Sequence, residues 1–188
     1  MEKAELRVQM RRTLKELPLE QVRLYSDAAC GHVMRHPAFL RAETVFLYAA
    51  MPQEADPNSL AAYALEMGKR VAYPYCVDST QIVAMQPNTP YDLERGAYGI
   101  FAPVPERSII IPPQEVEFVL VSGLAFDASG GRMGRGAGFY DRYLSGTPAF
   151  RAGFCFSMQL VSDVPMQPHD LFMDAVFTND RVYTVSSR

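Results

Sequence analysis

The stretch FVLVSGLAFDASGGRMGRGAGFYDRYL, residues 118–144, predicts a strand, a glycine-rich loop and a helix in that order. It opens with a run of apolar residues typical of a buried strand. From about Gly138 or Phe139 it continues as a helix-like segment that reaches Leu144. In open α/β sheets this order places the loop at the carboxyl end of a strand, which is where such folds bind ligands.

Helices and short apolar strands alternate on both sides of this stretch. Apolar residues at helical spacing predict a first helix over residues 3–17, and a second helix is expected from Pro18, in its first turn, to about Arg35. Asp56 and Pro57 are expected to be the N-cap and first residue of another helix, which Gly68 ends. Strand patterns follow at residues 43–50, 69–76, 117–126, 148–157 and 174–185. The alternation indicates an α/β fold with helices on both faces of the sheet.

Residues 77–115 break this alternation. They are rich in proline, glycine and polar residues and have no clean periodicity, so we expect one or two strands and a long connecting lobe. Because the lobe carries hinge-forming residues, it is a candidate lid over the active site. The 188 residues otherwise fit a single domain, 1–188.

Composition narrows the class of protein. The net charge is −3, so no general basic field is available for nucleic acid or an anionic membrane. The three cysteines are unclustered and are interpreted as free thiols of a reducing compartment. The charged start has no apolar signal region, and no apolar run approaches the 18 residues of a membrane span. These features predict a cytoplasmic protein.

The residues of the glycine loop favour an anion-binding site. Glycine at positions 134, 136 and 138 allows positive φ angles and close approach of the backbone, so that successive N–H groups can converge on a phosphate. Arg132 and Arg135 add side chains that bind phosphate oxygens bidentately. The motif is neither a Walker A loop nor a Rossmann fingerprint. The glycines alone leave a structural turn and a phosphate loop equally open, and the arginines favour the phosphate loop.

The sequence GLAFDASGGRMGRGAGFYDRYL, residues 123–144, resembles the signature of the 5-formyltetrahydrofolate cyclo-ligase family. KAELR (3–7), QEAD (53–56), GAYGI (96–100) and the pattern over 165–178 are similar to further family motifs, so the resemblance covers nearly the whole chain. It implies a three-layer αβα sandwich with a mostly parallel, open, Rossmann-like sheet, resembling the NagB/RpiA/CoA transferase-like fold. We expect the protein to be a monomer.

The resemblance implies an ATP- and Mg²⁺-dependent cyclisation of 5-formyltetrahydrofolate to 5,10-methenyltetrahydrofolate, with release of ADP and phosphate. The formyl oxygen attacks the γ-phosphate, N10 closes the ring on the activated carbon, and phosphate leaves. The folate substrate is expected with or without a polyglutamate tail. Catalysis of this kind is mainly positioning and charge stabilisation.

Site residues are assigned by the same resemblance. Those expected to bind ATP are Lys3, Arg7, Arg132, Gly134, Arg135, Gly136, Gly138, Phe139 and Tyr140. The residues expected to bind the folate are Glu54, through the amino-pyrimidinone edge of the pterin, and Met51, Phe126 and Tyr140 as apolar walls. Asp141 and Asp170 are the expected magnesium ligands, and Asp174 is close enough in sequence to share that task.

Each assignment has a structural alternative. Lys3 and Arg7 also suit a solvated helix face, and Asp141 also suits the dipole of the helix it begins. Glu54 also suits a helix start, with Asp56 as the cap. Asp170 also suits a loop cap, and the aromatic residues also suit the core.

Several positions depart from the family pattern. Phe139 stands where tyrosine is common, and Ala137 stands where lysine or glycine is found. Ser122, Tyr75 and Ala102 also differ from the usual proline, basic and acidic residues. Two rival functions therefore stay open: a protein that binds folate or nucleotide with little chemistry, and another enzyme of ATP or sugar phosphates on a similar scaffold.

Overall fold

An eight-stranded sheet lies at the centre of the structure, a computed structural model that describes residues 2–90, 92–168 and 170–185. His169, which belongs to the C-terminal motif, lies outside these residues. The strand order across the sheet is β12 (Val182–Thr184), β11 (Ala175–Phe177), β10 (Phe150–Phe154), β7 (Phe118–Val121), β1 (Thr44–Phe46), β2 (Arg70–Cys76), β3 (Ile82–Pro87) and β6 (Ser108–Ile111).

The middle of this sheet is parallel and its margins are antiparallel. The five strands from β11 to β2 run parallel, whereas β12 at one edge and β3 with β6 at the other run antiparallel to their neighbours. The expectation of a mostly parallel α/β sheet is confirmed. Parallel strands need crossover connections, and the helical segments between the strands supply them.

Helices cover the two faces of the sheet unequally. They are α1 (Lys3–Lys15), α2 (Leu19–Met34), α3 (Pro37–Arg41), α4 (Asn58–Glu66) and α5 (Phe139–Leu144). The first four contribute to the core on one face together with residues such as Phe118 and Leu120. Residues Val119 and Val121 point to the other face, where α5 packs through Tyr143 and Leu144. Alternate strand residues thus serve opposite layers, as the three-layer expectation requires.

Two predicted helix starts are shifted. α4 begins at Asn58, not at Pro57, because Pro57 takes the capping position with φ −86° and ψ 15°. The side chain of Asp56 still accepts a hydrogen bond from the N–H of Asn58 at 3.0 Å. α2 likewise begins at Leu19, with Pro18 just before it. The predicted helix end at Gly68 is confirmed, with φ +74° two residues after Glu66.

The segment 77–115 is more regular than its sequence suggests. It supplies β3 and β6 to the main sheet, and between them a hairpin of β4 (Leu93–Arg95) and β5 (Phe101–Pro103). A second small hairpin, β8 (Ala125–Phe126) with β9 (Arg132–Met133), leads into the glycine loop. Within the described part of the chain, no helix is both long and apolar enough to cross a membrane.

Gly153, in β10, allows the core to close around Phe126. A Cβ at this position would lie 2.8 Å from the ring of Phe126 and 3.2 Å from Met173 Cγ. Because Phe126 is fully buried and cannot move aside, we expect Gly153→Ala to lower the free energy of unfolding by about 1–3 kcal/mol, measured by urea denaturation. Gly146→Ala is the control, since its Cβ would meet only the carbonyl oxygen of Tyr143, at 3.6 Å. Equal stability of the two variants would contradict the overpacking argument.

Candidate active site

A cavity of about 740 Å³ opens at the carboxyl ends of three parallel strands. Tyr48 follows β1, Tyr75 and Cys76 end β2, and Ser122 follows β7, and all four residues line the cavity. The other walls come from the start of α1, the glycine loop, the β4–β5 hairpin and the segment around Asp170. This is the edge where open α/β sheets bind ligands.

The glycine loop presents unused backbone donors. Gly136 and Gly138 have φ angles of +115° and +69°, which residues other than glycine rarely adopt. Gly138 is also the N-cap of α5. Within residues 2–90, 92–168 and 170–185, the backbone N–H groups of residues 135–138 donate no hydrogen bond. A run of such donors at the start of a helix suits an anion.

Arg135 is paired with Glu54 across the cavity. Its Nε and Nη2 atoms donate to Glu54 Oε1 at 3.0 and 2.7 Å. Glu54 Oε2 accepts from the backbone N–H of Met51 at 2.8 Å, which fixes the orientation of a carboxylate that is only 9% exposed. The side chain of Arg135 is 39% exposed and lines the cavity.

Arg132 lies beneath the loop and holds Asp141. Its Nη2 atom donates to Asp141 Oδ1 at 3.0 Å, its Nη1 atom donates to the carbonyl oxygen of Ser122 at 3.1 Å, and its guanidinium lies 5.7 Å from the Tyr140 ring centroid. The Arg132 side chain is 4% exposed, whereas that of Asp141 is 23% exposed. The buried Nε atom of Arg132 has no acceptor among the described residues. Arg132 therefore positions Asp141 at the cavity wall, and its direct phosphate contact stays a prediction.

The predicted spacing of Lys3 and Arg7 brings both side chains to the cavity. Lys3 Nζ forms an ion pair with Asp170 Oδ2, and that oxygen also accepts from the backbone N–H of Gln167. Arg7 Nε donates to the carbonyl oxygen of Gly134 at 3.3 Å, which joins α1 to the glycine loop. Neither side chain belongs to a plain solvated face.

Two carboxylates of the cavity, those of Asp141 and Asp170, could hold a magnesium ion together with the phosphates of a bound nucleotide. No group of three or more metal-binding side chains occurs in the described part of the chain. Asp141 and Asp170 nevertheless line the same cavity, and Mg²⁺ usually takes one or two carboxylates together with phosphate oxygens and water. Asp174 is not part of the cavity wall, since it pairs with Arg151 and accepts from the backbone N–H of Arg151.

The apolar walls differ in part from the prediction. Met51, Phe139 and Tyr140 line the cavity, but Phe126 is fully buried in the core and does not. Burial and the nearby Glu54 carboxylate raise the pKa of Tyr140, so its phenol is neutral. The residues that sequence reasoning missed include Tyr48, whose hydroxyl donates to the carbonyl oxygen of Ala55 at 2.7 Å.

Tyr98 is a second missed residue. It lies at φ +59° in the β4–β5 hairpin, is 68% exposed, and its ring centroid is 6.2 Å from that of Phe139. The motif GAYGI at 96–100 was the signal that could have identified it. The hairpin of the expected lobe thus forms one wall of the cavity, and its motion as a lid stays a prediction.

Comparisons with known proteins agree with one another. The model of the 5-formyltetrahydrofolate cyclo-ligase family matches residues 1–179. A probable 5-formyltetrahydrofolate cyclo-ligase of Schizosaccharomyces pombe is 29% identical, over 97% of each chain. The 5-formyltetrahydrofolate cyclo-ligase of Escherichia coli K12 is 25% identical, over 93% of this chain and 98% of the other.

Solved structures show the same architecture. The 5,10-methenyltetrahydrofolate synthetase of Aquifex aeolicus superimposes with a TM-score of 0.88 at 29% identity, over 100% of this chain and 95% of the other. A 5,10-methenyltetrahydrofolate synthetase of Mycoplasma pneumoniae, with a TM-score of 0.78 at 20% identity over 95% and 99% of the two chains, shares the fold.

Proposed function

We propose, because this chain belongs to the 5-formyltetrahydrofolate cyclo-ligase family, that it converts 5-formyltetrahydrofolate and ATP to 5,10-methenyltetrahydrofolate, ADP and phosphate. The observation that carries the proposal is that one cavity contains a loop of free N–H groups, four cationic side chains, two partly buried aspartates and a fixed buried glutamate. These are the groups that positioning a triphosphate beside a polar heterocycle requires.

The phosphates are proposed to bind between α1 and the glycine loop. Lys3, Arg7 and Arg135 supply positive charge, and the N–H groups of residues 135–138 supply hydrogen bonds. In the structure, Lys3 and Arg135 pair with carboxylates of the same cavity. Binding therefore exchanges a carboxylate partner for a phosphate partner at each cation, which avoids leaving either charge unpaired.

The folate is proposed to bind at Glu54. Its carboxylate is held in place by the N–H of Met51, and its other oxygen is released when Arg135 turns to the phosphates. That oxygen can then accept from the amino-pyrimidinone edge of the pterin, while Met51 and Tyr140 supply apolar contacts. The pairing orients N5 and N10 toward the γ-phosphate.

Magnesium is proposed to be held by Asp141 and Asp170 together with the ATP phosphates. When bound, the ion neutralises the charge that develops on the phosphoryl oxygens. The protein's own part is to aim the two carboxylates: Arg132 fixes Asp141, and the N–H of Gln167 fixes Asp170.

The bond changes follow from this arrangement. The formyl oxygen attacks the γ-phosphorus of ATP and ADP leaves, which gives a phosphorylated formyl group. N10 then attacks the activated carbon and loses its proton to solvent, and the C–O bond breaks, so that phosphate leaves with the oxygen of the formyl group. The cations stabilise the transferring phosphoryl group.

We further propose that the enzyme is a cytoplasmic monomer and does not bind nucleic acid. The described cysteines are free, and the net charge of −3 offers no field for a polyanion. The second candidate function, a folate- or nucleotide-binding protein with little turnover, is favoured by Phe139 and Ala137. Phe139 lacks the hydroxyl of the tyrosine that is common in the family at this position, and Ala137 lacks the ammonium group of the lysine that some members have.

One assay distinguishes the two candidates. Purified protein is mixed with 5-formyltetrahydrofolate and ATP, with and without Mg²⁺, and the methenyl product is followed by its near-ultraviolet absorbance while released phosphate is counted. We expect one product for each phosphate and strict dependence on Mg²⁺. Binding of both ligands without product would establish the binding protein instead.

Cys76 provides a probe of the cavity that does not depend on turnover. It is half-buried in the cavity wall, whereas Cys30 and Cys155 are fully buried. Burial raises the pKa of all three thiols, that of Cys30 to about 11 and that of Cys155 further, and only the thiol of Cys76 is partly exposed to a reagent. We expect iodoacetamide at pH 8 to label Cys76 alone, and saturating ATP with 5-formyltetrahydrofolate to slow that labelling at least about fivefold by shielding it. An unchanged labelling rate would place the ligands elsewhere.

A further inference from the structure

Arg142 fastens the glycine loop to the rest of the fold. From α5, its Nη2 atom donates to the carbonyl oxygen of Ala137 at 2.6 Å, and its Nε atom donates to the carbonyl oxygen of Thr80 at 2.6 Å. Its guanidinium also lies 5.7 Å from the centroid of the Phe139 ring. The side chain is exposed and is not part of the cavity wall. Arg142 therefore connects the loop to the turn between β2 and β3 from outside the cavity.

The bond to Ala137 determines where the next N–H group points. In a planar trans peptide the C=O and the following N–H point in opposite directions. Because Arg142 holds the carbonyl of Ala137, the N–H of Gly138 is turned the other way, and it has no acceptor among the described residues. Gly138 has a φ of +69°, which favours glycine, and a Cβ there would lie 2.7 Å from Arg142 Nη1 and displace the guanidinium.

Two other arginines hold the loop in the same manner. Arg7 donates to the carbonyl oxygen of Gly134, and Arg11 Nη2 approaches that of Arg135 at 3.5 Å. The peptide units that follow carry the N–H groups of Arg135 and Gly136, which also lack acceptors in the described chain. Arginines thus hold the loop's carbonyl groups, and the N–H groups are left for a ligand.

The turn that supports Arg142 is itself well ordered. Asp78 accepts hydrogen bonds from the N–H and Oγ1 of Thr80 at 2.6 and 2.7 Å and from the N–H of Gln81 at 2.9 Å. These bonds fix the turn, and with it the carbonyl of Thr80 that receives Arg142 Nε. The chain of contacts runs from Asp78 through Thr80 and Arg142 to Ala137.

We propose that Arg142 is a positioning residue that orients the N–H groups of the glycine loop toward the polyphosphate of the nucleotide. It does so by holding the Ala137 carbonyl against the Asp78–Thr80 turn. The identity of the nucleotide rests on the proposed function, but the orientation of the loop's donors does not.

Calorimetry with inorganic tripolyphosphate tests the orientation directly. We expect Arg142→Ala to weaken binding of tripolyphosphate about tenfold. Arg142→Lys keeps the charge but cannot donate to both carbonyl groups as a guanidinium does, so its affinity for tripolyphosphate should lie between those of Arg142→Ala and the wild type. Asp78→Ala keeps Arg142 but loosens its support, so it should weaken binding severalfold. Arg12→Ala is the matched control, because Arg12 is an exposed arginine of α1 that pairs with Glu16.

Steady-state kinetics separate positioning from general damage. In Arg142→Ala we expect KM for ATP to rise about tenfold while KM for 5-formyltetrahydrofolate stays within about twofold. Unchanged tripolyphosphate affinity, an equal loss in Arg12→Ala, or an equal rise in both KM values would overturn the proposal. If tripolyphosphate binding weakens as expected but the wild-type protein makes no methenyl product, the proposed function fails and the role of Arg142 stands.

Discussion

Asp141→Asn is expected to reduce kcat about 10²–10³-fold and to raise the Mg²⁺ concentration for half-maximal activity at least about tenfold. Asparagine has the shape of aspartate and its oxygen can still accept from Arg132 Nη2, so the side chain keeps its place at the cavity wall. What is lost is the negative charge that we propose attracts the magnesium ion. Turnover measured across a Mg²⁺ titration at fixed ATP reports both effects.

The matched control for this variant is Asp163→Asn, which removes a carboxylate from an exposed position outside the cavity. It should retain wild-type kcat and the wild-type Mg²⁺ midpoint. Because Arg132 loses an ion-pair partner in Asp141→Asn, circular dichroism must show that the variant is folded. A folded Asp141→Asn protein with an unchanged Mg²⁺ midpoint would remove Asp141 from the metal site and leave it the role of a helix-start acid.

Glu54→Gln is expected to lower kcat/KM for 5-formyltetrahydrofolate about 10²-fold, because charge-assisted hydrogen bonds to the pterin become neutral ones. The amide oxygen of glutamine can still accept from the N–H of Met51, so the local backbone is kept. Affinity for ATP alone, measured by calorimetry, should be unchanged or tighter. The reason is that Arg135, which pairs with Glu54 in the wild type, no longer has a carboxylate to leave.

A loss for the folate without a loss of ATP affinity distinguishes partner exchange from simple damage to the cavity. Glu20→Gln, at an exposed position in the first turn of α2, should alter neither constant. Equal losses of ATP and folate affinity in Glu54→Gln would mean that Glu54 supports the cavity and does not bind the pterin. An unchanged kcat/KM for the folate would exclude Glu54 from substrate binding.

Local patterns in the sequence predicted the parts of the fold that are determined locally. The signature at 123–144 led to the loop, to the helix from Phe139, and to Arg132, Arg135 and Asp141, which the structure places around one cavity. Lys3 and Arg7 are four residues apart, and the prediction that both point to one side was correct because a helix brings such residues to the same face. Glycine and proline signals were correct to within a residue or two.

Tertiary contacts explain most of what the sequence did not predict. Phe126 follows an apolar strand and was expected to line the site, but β8 turns it into the core beside Gly123 and Gly153. The ion pair between Arg135 and Glu54 joins residues 81 positions apart, and no local pattern signals it. For the same reason Arg142 could not be identified, since its partner Thr80 lies 62 residues away.

The strand order also concerns how the protein is synthesised. The central strand β1 lies between β2 and β7, and β7 pairs in turn with β10, so residues 44–46 have both neighbours only after residue 121 has been made. The contact between Lys3 and Asp170 closes a loop of 167 residues and completes the cavity wall. Such distant contacts form late because a long loop must close before they are gained. Nascent chains that end before residue 170 therefore lack part of the cavity wall, and we expect the proposed substrates to stabilise the protein only once nearly the whole chain has left the ribosome.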